Sequence, residues 1–514
     1  MVVNKIHFTF LTNKHILNQL KEKNMNEKVY DAQFSSYGAV HAGRSNHNIY
    51  VVIAKPTRVC NADCTYCSSP PLSEMGQEWE PEWNLEKFKK YFDKVYPMMG
   101  DESYWIWHGG EPMLMKPEFY VKAYEYVQEK VKVHGRRVYF SMQTNLLGYN
   151  QKWKKVFEDV FQGSISTSFD PDEKQRTIKG NPETYSRVFK KAYQKVLDDG
   201  FRPLIIGVYD EKKAPLMHDM YDWSLSMGEK SFPLRFNYCH PTGRFESGGE
   251  VIKPETYGQA LIEIFNRWIK DNPNFVVTPL DQMFKKVIGI DGDGHCPWTR
   301  KCGGRFIGIE PNGDVYNCTD FADMGNEFCF GNLETDSMVN IMASKPATYI
   351  KRRAVQVPTS CRECEHFDDC EGGCARDAAL YEHGLYGKFH YCKSWKMVFA
   401  RIKEAILNGE ADTLIEKYGY NTENVKKILR GRIQSHFGEQ NLEIDFEDIF
   451  NSGFKSIYGA GENAKKSHLI YDIHGQFNKK SEDEPFINDP MFKKLDKLSN
   501  INKKLKEIKL KVYE

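Results

Sequence analysis

Between residues 49 and 240 the chain alternates short runs of β-branched and aromatic residues with longer amphipathic stretches, and this alternation limits the possible folds more than any other feature. Strands are expected at 49–54, 103–108, 137–142, 163–168, 203–208 and 234–238, with helices such as 117–134 and 183–197 between them. Six βα repeats in series imply a parallel sheet, curled into a partial barrel. On such sheets the functional groups gather at the C-terminal ends of the strands, where the connecting loops converge.

The alternation stops near residue 250. A helix over 255–272 follows, and then a segment rich in Cys and Gly runs from Cys296 to Cys392. Such a segment is expected to fold around metal, with only short strands, rather than around a large apolar core. Residues 393–514 contain no cysteine and read as helices, with a Gly-punctuated patch at 453–475 and a Lys-rich, solvated surface helix at 491–514. The expected division is an N-terminal extension (1–48), a partial barrel (49–250), a connecting helical segment (251–295), a Cys-rich domain (296–392) and a mainly helical C-terminal region (393–514). No internal repeat stands out.

A length of 514 residues suits two or three such units. The formal net charge of +1 gives no sign of a nucleic-acid or acidic-membrane partner. Residues 1–30 are interrupted by Lys5, Asn13, Lys14 and Lys21, so no signal peptide or membrane span is expected, and the cytoplasm is the default location. The thirteen cysteines then need a reason, because cytosolic proteins rarely keep structural disulfides. Disulfides, zinc and iron–sulfur clusters compete, and spacing has to decide among them.

Directly after the first strand stands Cys60-Asn-Ala-Asp-Cys64-Thr-Tyr-Cys67. Three thiolates on one tight loop can hold three irons of a four-iron cluster and leave the fourth open to a ligand. The alternative is a zinc knuckle completed by a distant fourth ligand. A place at the end of the first strand of a βα series argues against it. The spacing resembles the radical S-adenosylmethionine (SAM) superfamily. That resemblance implies that the open iron chelates SAM, and that one electron releases a 5′-deoxyadenosyl radical. It further implies that Tyr66 packs near the adenine, and that Gly109-Gly110-Glu111-Pro112, after the second strand, holds the SAM amino group. Paired glycines would let backbone approach the ligand, and a carboxylate would offset an ammonium. Gln143 and Asn145 follow the third strand. Ser168, in Ser168-Phe169-Asp170 after the fourth, is expected at the ribose. Either Arg187, favoured by spacing, or Arg176 would meet the SAM carboxylate; both could equally be surface arginines.

A second set reads Cys296-x5-Cys302-x10-Gly313-x4-Cys318, then Cys361-x2-Cys364-x5-Cys370-x3-Cys374-x17-Cys392. It resembles the SPASM extension of peptide- and protein-modifying radical SAM enzymes. Eight cysteines suffice for two auxiliary [4Fe–4S] clusters. The resemblance gives Cys296, Cys302, Cys318 and Cys374 to the first and Cys361, Cys364, Cys370 and Cys392 to the second; spacing alone does not yield the crossed placement of Cys374. A zinc ribbon is the competing reading. Only Cys239, at the end of the sixth strand, and Cys329 remain unassigned. Cys239 faces the expected barrel mouth, although a small buried residue there is the plainer reading.

Three clusters suit an overall oxidation, in which an auxiliary cluster accepts the second electron from a substrate radical. By resemblance the substrate is a residue in a ribosomally made peptide or a protein, and the reaction a crosslink or another oxidative modification. An electron donor such as flavodoxin or ferredoxin is implied. In anaerobic sulfatase maturases an aspartate directly follows the cysteine corresponding to Cys318 and acts as base. Here Thr319 holds that place and Asp320 comes one later. On a strand this shift turns the side chain to the other face, which counts against formylglycine formation, unless a bulge returns Asp320 as the base. Residues 1–48 look too short for a complete leader-binding module, so leader recognition could fall to a separate protein, to 393–514, or to neither. A small-molecule radical oxidase and a non-catalytic cluster- or zinc-binding protein are the competing classes.

Overall fold

The computed structural model describes residues 49–75, 82–247, 250–290, 296–381 and 384–437. The expected N-terminal extension, the Gly-punctuated patch at 453–475 and the Lys-rich helix at 491–514 lie outside the described residues.

Strand β1 (Ile49–Ala54) is almost wholly buried, as a β-branched strand covered on both faces of a parallel sheet should be. The series continues through α1 (Leu85–Val95), β2 (Met99–Trp107), α2 (Pro117–His134), β3 (Arg137–Thr144), α3 (Gln151–Asp159), β4 (Ile165–Ser168), α4 (Pro182–Asp198), β5 (Leu204–Tyr209), α5 (Met217–Ser226) and β6 (Leu234–Tyr238). Helix α2 shows why the boundaries were readable. Pro117 opens it, and Gly135, in the left-handed conformation at φ 64°, closes it. Strands β1 to β6 pair parallel in chain order.

The sheet is larger than the six expected strands. After α6 (Pro254–Asp271), strand β7 (Val277–Thr278) pairs parallel with β6, and α7 (Leu280–Val287) follows. At the opposite edge β8 (Phe306–Ile309) pairs parallel with β1, matching Val51 to Phe306. Strands β9 (Asp314–Tyr316) and β10 (Gly331–Asn332) extend that edge antiparallel. The result is one open, ten-stranded sheet in the order β10-β9-β8-β1-β2-β3-β4-β5-β6-β7. The first part of the Cys-rich segment thus continues the barrel sheet, and its strands share the barrel's core: Ile307, Ile309 and Val315 are fully buried.

Beyond β9 come α8 (Thr319–Ala322), α9 (Lys345–Arg352), α10 (Cys392–Leu407) and α11 (Thr422–Phe437), with shorter helical turns between. Helix α10 lies on α6: Ser394 Oγ donates to Pro254 O at 2.5 Å, and the Tyr257 and Trp395 rings meet edge to face at 5.7 Å. No helix among the described residues is long and apolar enough to cross a membrane.

Candidate active site

The loop after β1 carries Cys60, Cys64 and Cys67, and four other segments fix its path. From the β8 side, Lys55 and Arg58 form a buried network with Glu310 and Asp323: Lys55 Nζ–Glu310 Oε1 is 2.8 Å, Arg58 Nε–Glu310 Oε2 2.7 Å and Arg58 Nη2–Asp323 Oδ1 3.2 Å. Removing one carboxylate would strand a buried cation, at a cost of about 3–5 kcal/mol. From the β2 side, the Gly110 amide donates to Thr57 O at 3.0 Å and the Glu111 amide to Val59 O at 2.9 Å. From the loop before α4, Asp63 Oδ1 accepts from Thr177 Oγ1 at 2.6 Å and Oδ2 from the Gly180 amide at 2.8 Å. After β6, Arg244 Nη1 donates to Cys64 O and its amide to Cys67 O, both at 3.0 Å.

These contacts give Gly109–Pro112 a structural role as well. A Cβ on Gly110 would stand 2.2 Å from Val59 O and 2.3 Å from Arg58 O, and one on Gly109 2.3 Å from Thr57 O. The glycines are therefore required by the backbone of the cysteine loop itself. The Glu111 carboxylate is engaged as well. Its Oε1 accepts from the Met113 amide at 2.8 Å and from Thr144 Oγ1 at 2.6 Å, and its Oε2 from the Asn145 amide at 2.7 Å. Burial pushes this carboxyl up to about 7, against the pull of those donors. Glu111 braces two strand ends, and its Oε2, with one donor, keeps a second acceptor position. Pro112 is buried and its carbonyl accepts from Tyr120 OH at 2.7 Å.

At the next strand ends, Gln143 Nε2 donates to Ser168 Oγ at 2.8 Å, and Asn145 Nδ2 reaches Asn61 Oδ1 at 2.6 Å and Cys60 Sγ at 3.9 Å. Tyr66 OH donates to Asp170. The Arg176 guanidinium pairs with Asp170 Oδ2 at 3.0 Å and lies 5.3 Å from the Tyr66 ring centre, while Lys213 Nζ lies 4.9 Å from it. Arg187 does not join them. Helix α4 buries Tyr185, Ser186 and Phe189, which leaves Arg187 exposed. Of the two arginines, Arg176 is the one at the strand ends.

All thirteen cysteines are free thiols, and eleven fall into three neighbourhoods. Cys60 lies within electrostatic reach of Cys64 and Cys67. Cys296 has Cys302, Cys318 and Cys374 as neighbours. Cys370 has Cys361, Cys364 and Cys392. The last four line a small pocket together with Gly372, Lys396 and aromatic side chains. Four sulfurs on one zinc ion stand about 4 Å apart. Among the described residues no three His, Cys, Asp or Glu side chains gather closely enough for a single ion. Cys239 is buried beside Lys213 and Asp170, and Cys329 donates to Gly331 O at 3.5 Å; neither joins a set.

Asp320 requires a further correction. Residues 319–322 form the short helix α8, with Cys318 at its N-cap, so the strand rule does not apply. One residue along a helix turns a side chain by about 100°. Thr319 is buried, and the Asp320 side chain is 51% exposed, paired with Arg376 at 3.2 Å. Desolvation would raise its carboxyl, but the charges of Arg376 and Lys55 hold it below the ordinary value. His108 and His240 nearby stay neutral. Burial and Lys55 lower His108 to about 4, and burial and Arg376 take His240 well below its ordinary value. His108 Nδ1 accepts from the Gly109 amide at 2.8 Å, which puts its proton on Nε2. Arg376 is itself fixed by Asp377 at 2.8 Å, and Asp377 accepts from Tyr238 OH. Arg244, His108, His240 and Arg376 carry no motif of their own, and sequence reading missed them.

Strand-end loops bearing three thiols, and two further sets of four, define the class, and comparison agrees. Residues 54–219 match the radical SAM superfamily, and residues 296–365 match the iron–sulfur cluster-binding domain called SPASM. The chain carries a radical SAM domain followed by an iron–sulfur cluster-binding SPASM domain, which imply SAM and [4Fe–4S] clusters as its cofactors. It is similar to the serine-type anaerobic sulfatase-maturating enzyme of Bacteroides thetaiotaomicron, with 24% identity over 404 residues, covering 72% of this chain and 94% of that one. The mycofactocin maturase MftC of Mycobacterium tuberculosis is 24% identical over 336 residues, covering 64% and 78%. Among solved structures, anSMEcpe with bound AdoMet superposes with a TM-score of 0.60 at 20% identity, over 76% of this chain and all of that one.

Proposed function

We propose that this enzyme oxidatively modifies, by crosslinking or a related reaction, a residue within a ribosomally made peptide or a protein. The observation that carries the reading is Asp320: a half-exposed carboxylate, kept ionised by Arg376, two residues after a helix cap that is itself one of the cysteines assigned to a cluster. The names of the similar proteins, maturases of sulfatases and of mycofactocin, support the substrate class.

Cys60, Cys64 and Cys67 hold the first cluster, and the two sets of four hold the auxiliary clusters. SAM bound to the first cluster supplies, on one-electron reduction, a 5′-deoxyadenosyl radical. The protein's part is to bind, orient and remove a proton. The backbone of Gly109 and Gly110, with the remaining acceptor position of the Glu111 carboxylate, would face the amino group. With SAM bound, Arg176 would meet its carboxylate, Tyr66 and Asn145 would flank the adenosine, and the Gln143–Ser168 pair would present a hydroxyl to the ribose. Asp320 accepts a proton from the substrate, and Arg376 keeps it charged until it does. Neutral His108 offers Nε2–H as a donor without adding charge.

A second reading is formylglycine formation in a sulfatase. It is favoured by the helical setting of Asp320, which removes the main argument against that residue as the base. A flavodoxin or ferredoxin as electron donor, a separate leader-binding protein and a cytoplasmic location complete the proposal. Anaerobic co-expression with neighbouring short peptides, read by mass spectrometry, tests it. Loss of two hydrogens with a new linkage in the fragment spectra supports crosslinking, and an aldehyde trapped by hydrazine supports formylglycine. An unmodified peptide together with turnover of a small metabolite contradicts both.

A further inference from the structure

Arg353 follows α9 directly and is only 2% exposed. Its Nη1 donates to Leu385 O at 2.5 Å and Gly387 O at 3.0 Å, and its Nη2 to Gly372 O at 2.8 Å. All three acceptors are neutral carbonyls. The other buried lysines and arginines among the described residues each have a carboxylate within 4.0 Å; Arg376 has Asp377 at 2.8 Å and Lys403 has Asp369 at 2.9 Å. Arg353 has none. A buried guanidinium stays charged, and without a counterion its burial costs several kcal/mol.

Its surroundings supply a different kind of counterion. Gly372 lies in Cys370-Glu371-Gly372-Gly373-Cys374, a loop that gives one thiol to each auxiliary set, and Gly372 also lines the cavity of the second set. The end of α9 packs on the first set: a Cβ on Gly303, next to Cys302, would stand 2.8 Å from Lys351 Cα. Burial lowers Arg353, and the groups that oppose this are Cys374 and Cys302 of one set and Cys361 and Cys370 of the other.

We propose that Arg353 is the shared countercharge of the two auxiliary clusters, pinning the loop that carries a ligand of each and stabilising the negative charge on both. A four-iron cluster held by four thiolates carries net negative charge, which grows by one unit on reduction. A buried cation between two such groups therefore raises both reduction potentials, making each a better electron sink. The inference rests on the reading that both cysteine sets hold clusters.

The test uses the full chain with Cys60, Cys64 and Cys67 changed to Ala, prepared anaerobically, and compares it with Arg353→Gln and Arg353→Lys in that background. Iron and sulfide of about eight each per chain in the background protein establish the auxiliary clusters. Zinc in their place would defeat that underlying reading, whatever Arg353 does. Midpoints are read by EPR-monitored redox titration. The expected result is that both midpoints become more negative in Arg353→Gln and return towards the background value in Arg353→Lys. A Gln variant with full iron and both midpoints unchanged, or only one shifted, overturns the proposal. Should the Gln variant load less iron, the Lys variant decides. Restored loading supports a charge role, and loading as poor as that of Gln overturns it in favour of carbonyl bridging alone.

Discussion

The hydroxyl of Thr144 donates to Glu111 Oε1 across 2.6 Å and so ties the end of β3 to the loop after β2. Burial pushes Glu111 from its ordinary range to about 7, so the folded protein holds a proton there that the unfolded chain has lost. A raised acid contributes stability that is complete below pH 4.5 and falls as pH rises to about 7. Glu111→Gln, which cannot ionise, should gain about 3 kcal/mol relative to the parent between those pH values. Anaerobic chemical denaturation of both proteins across that range reads the difference, and a constant gap would contradict the assignment.

Gly110→Ala should disturb the cysteine loop before it disturbs the ligand. Its Cβ would overlap the carbonyls of Arg58 and Val59, at 2.3 and 2.2 Å. Both are backbone atoms held by neighbouring hydrogen bonds, so neither yields cheaply. The expected variant loses about four of about twelve irons per chain along with SAM cleavage. Full iron with weakened SAM binding alone would restore the simpler view that the glycines only admit the ligand.

Arg176→Gln should weaken SAM binding at least about tenfold, the effect of losing one charge-assisted contact. Arg187→Gln should leave affinity within about twofold, as expected of a solvated helix position. Anaerobic equilibrium binding of SAM to the two variants separates the arginines. Equal losses would contradict the placement of Arg176.

What could be read from the sequence was local. The spacing of Cys60, Cys64 and Cys67 and the ends of α2 depend on residues a few positions apart. The crossed partner of Cys374 came from family likeness, and the neighbourhoods around Cys296 and Cys370 follow the same grouping. What escaped reading was long-range. Strand β8 has four residues, too few for a periodic signal, and it pairs with β1 across the whole barrel. The link from Arg58 to Glu310 spans 252 positions. The four-residue helix α8 is equally silent in sequence, and for that reason a strand rule was applied to Asp320. The bracing role of Glu111 was not legible because its three donors are two backbone amides and a threonine on another strand end.

Asp320→Asn should keep SAM cleavage and lose product by about 10²–10⁴-fold, the usual worth of a positioned base. Quantifying 5′-deoxyadenosine and modified peptide in the same anaerobic reaction gives both readings. Product at the parent rate would remove Asp320 from the chemistry.

The most direct test of the central claim is iron, sulfide and 5′-deoxyadenosine in the Cys60, Cys64, Cys67→Ala variant beside its parent, both reconstituted anaerobically and reduced with SAM present. The account predicts about twelve irons and sulfides per chain in the parent and about eight in the variant, with 5′-deoxyadenosine formed only by the parent. Continued SAM cleavage by the variant, or stoichiometric zinc without sulfide in the parent, would contradict it.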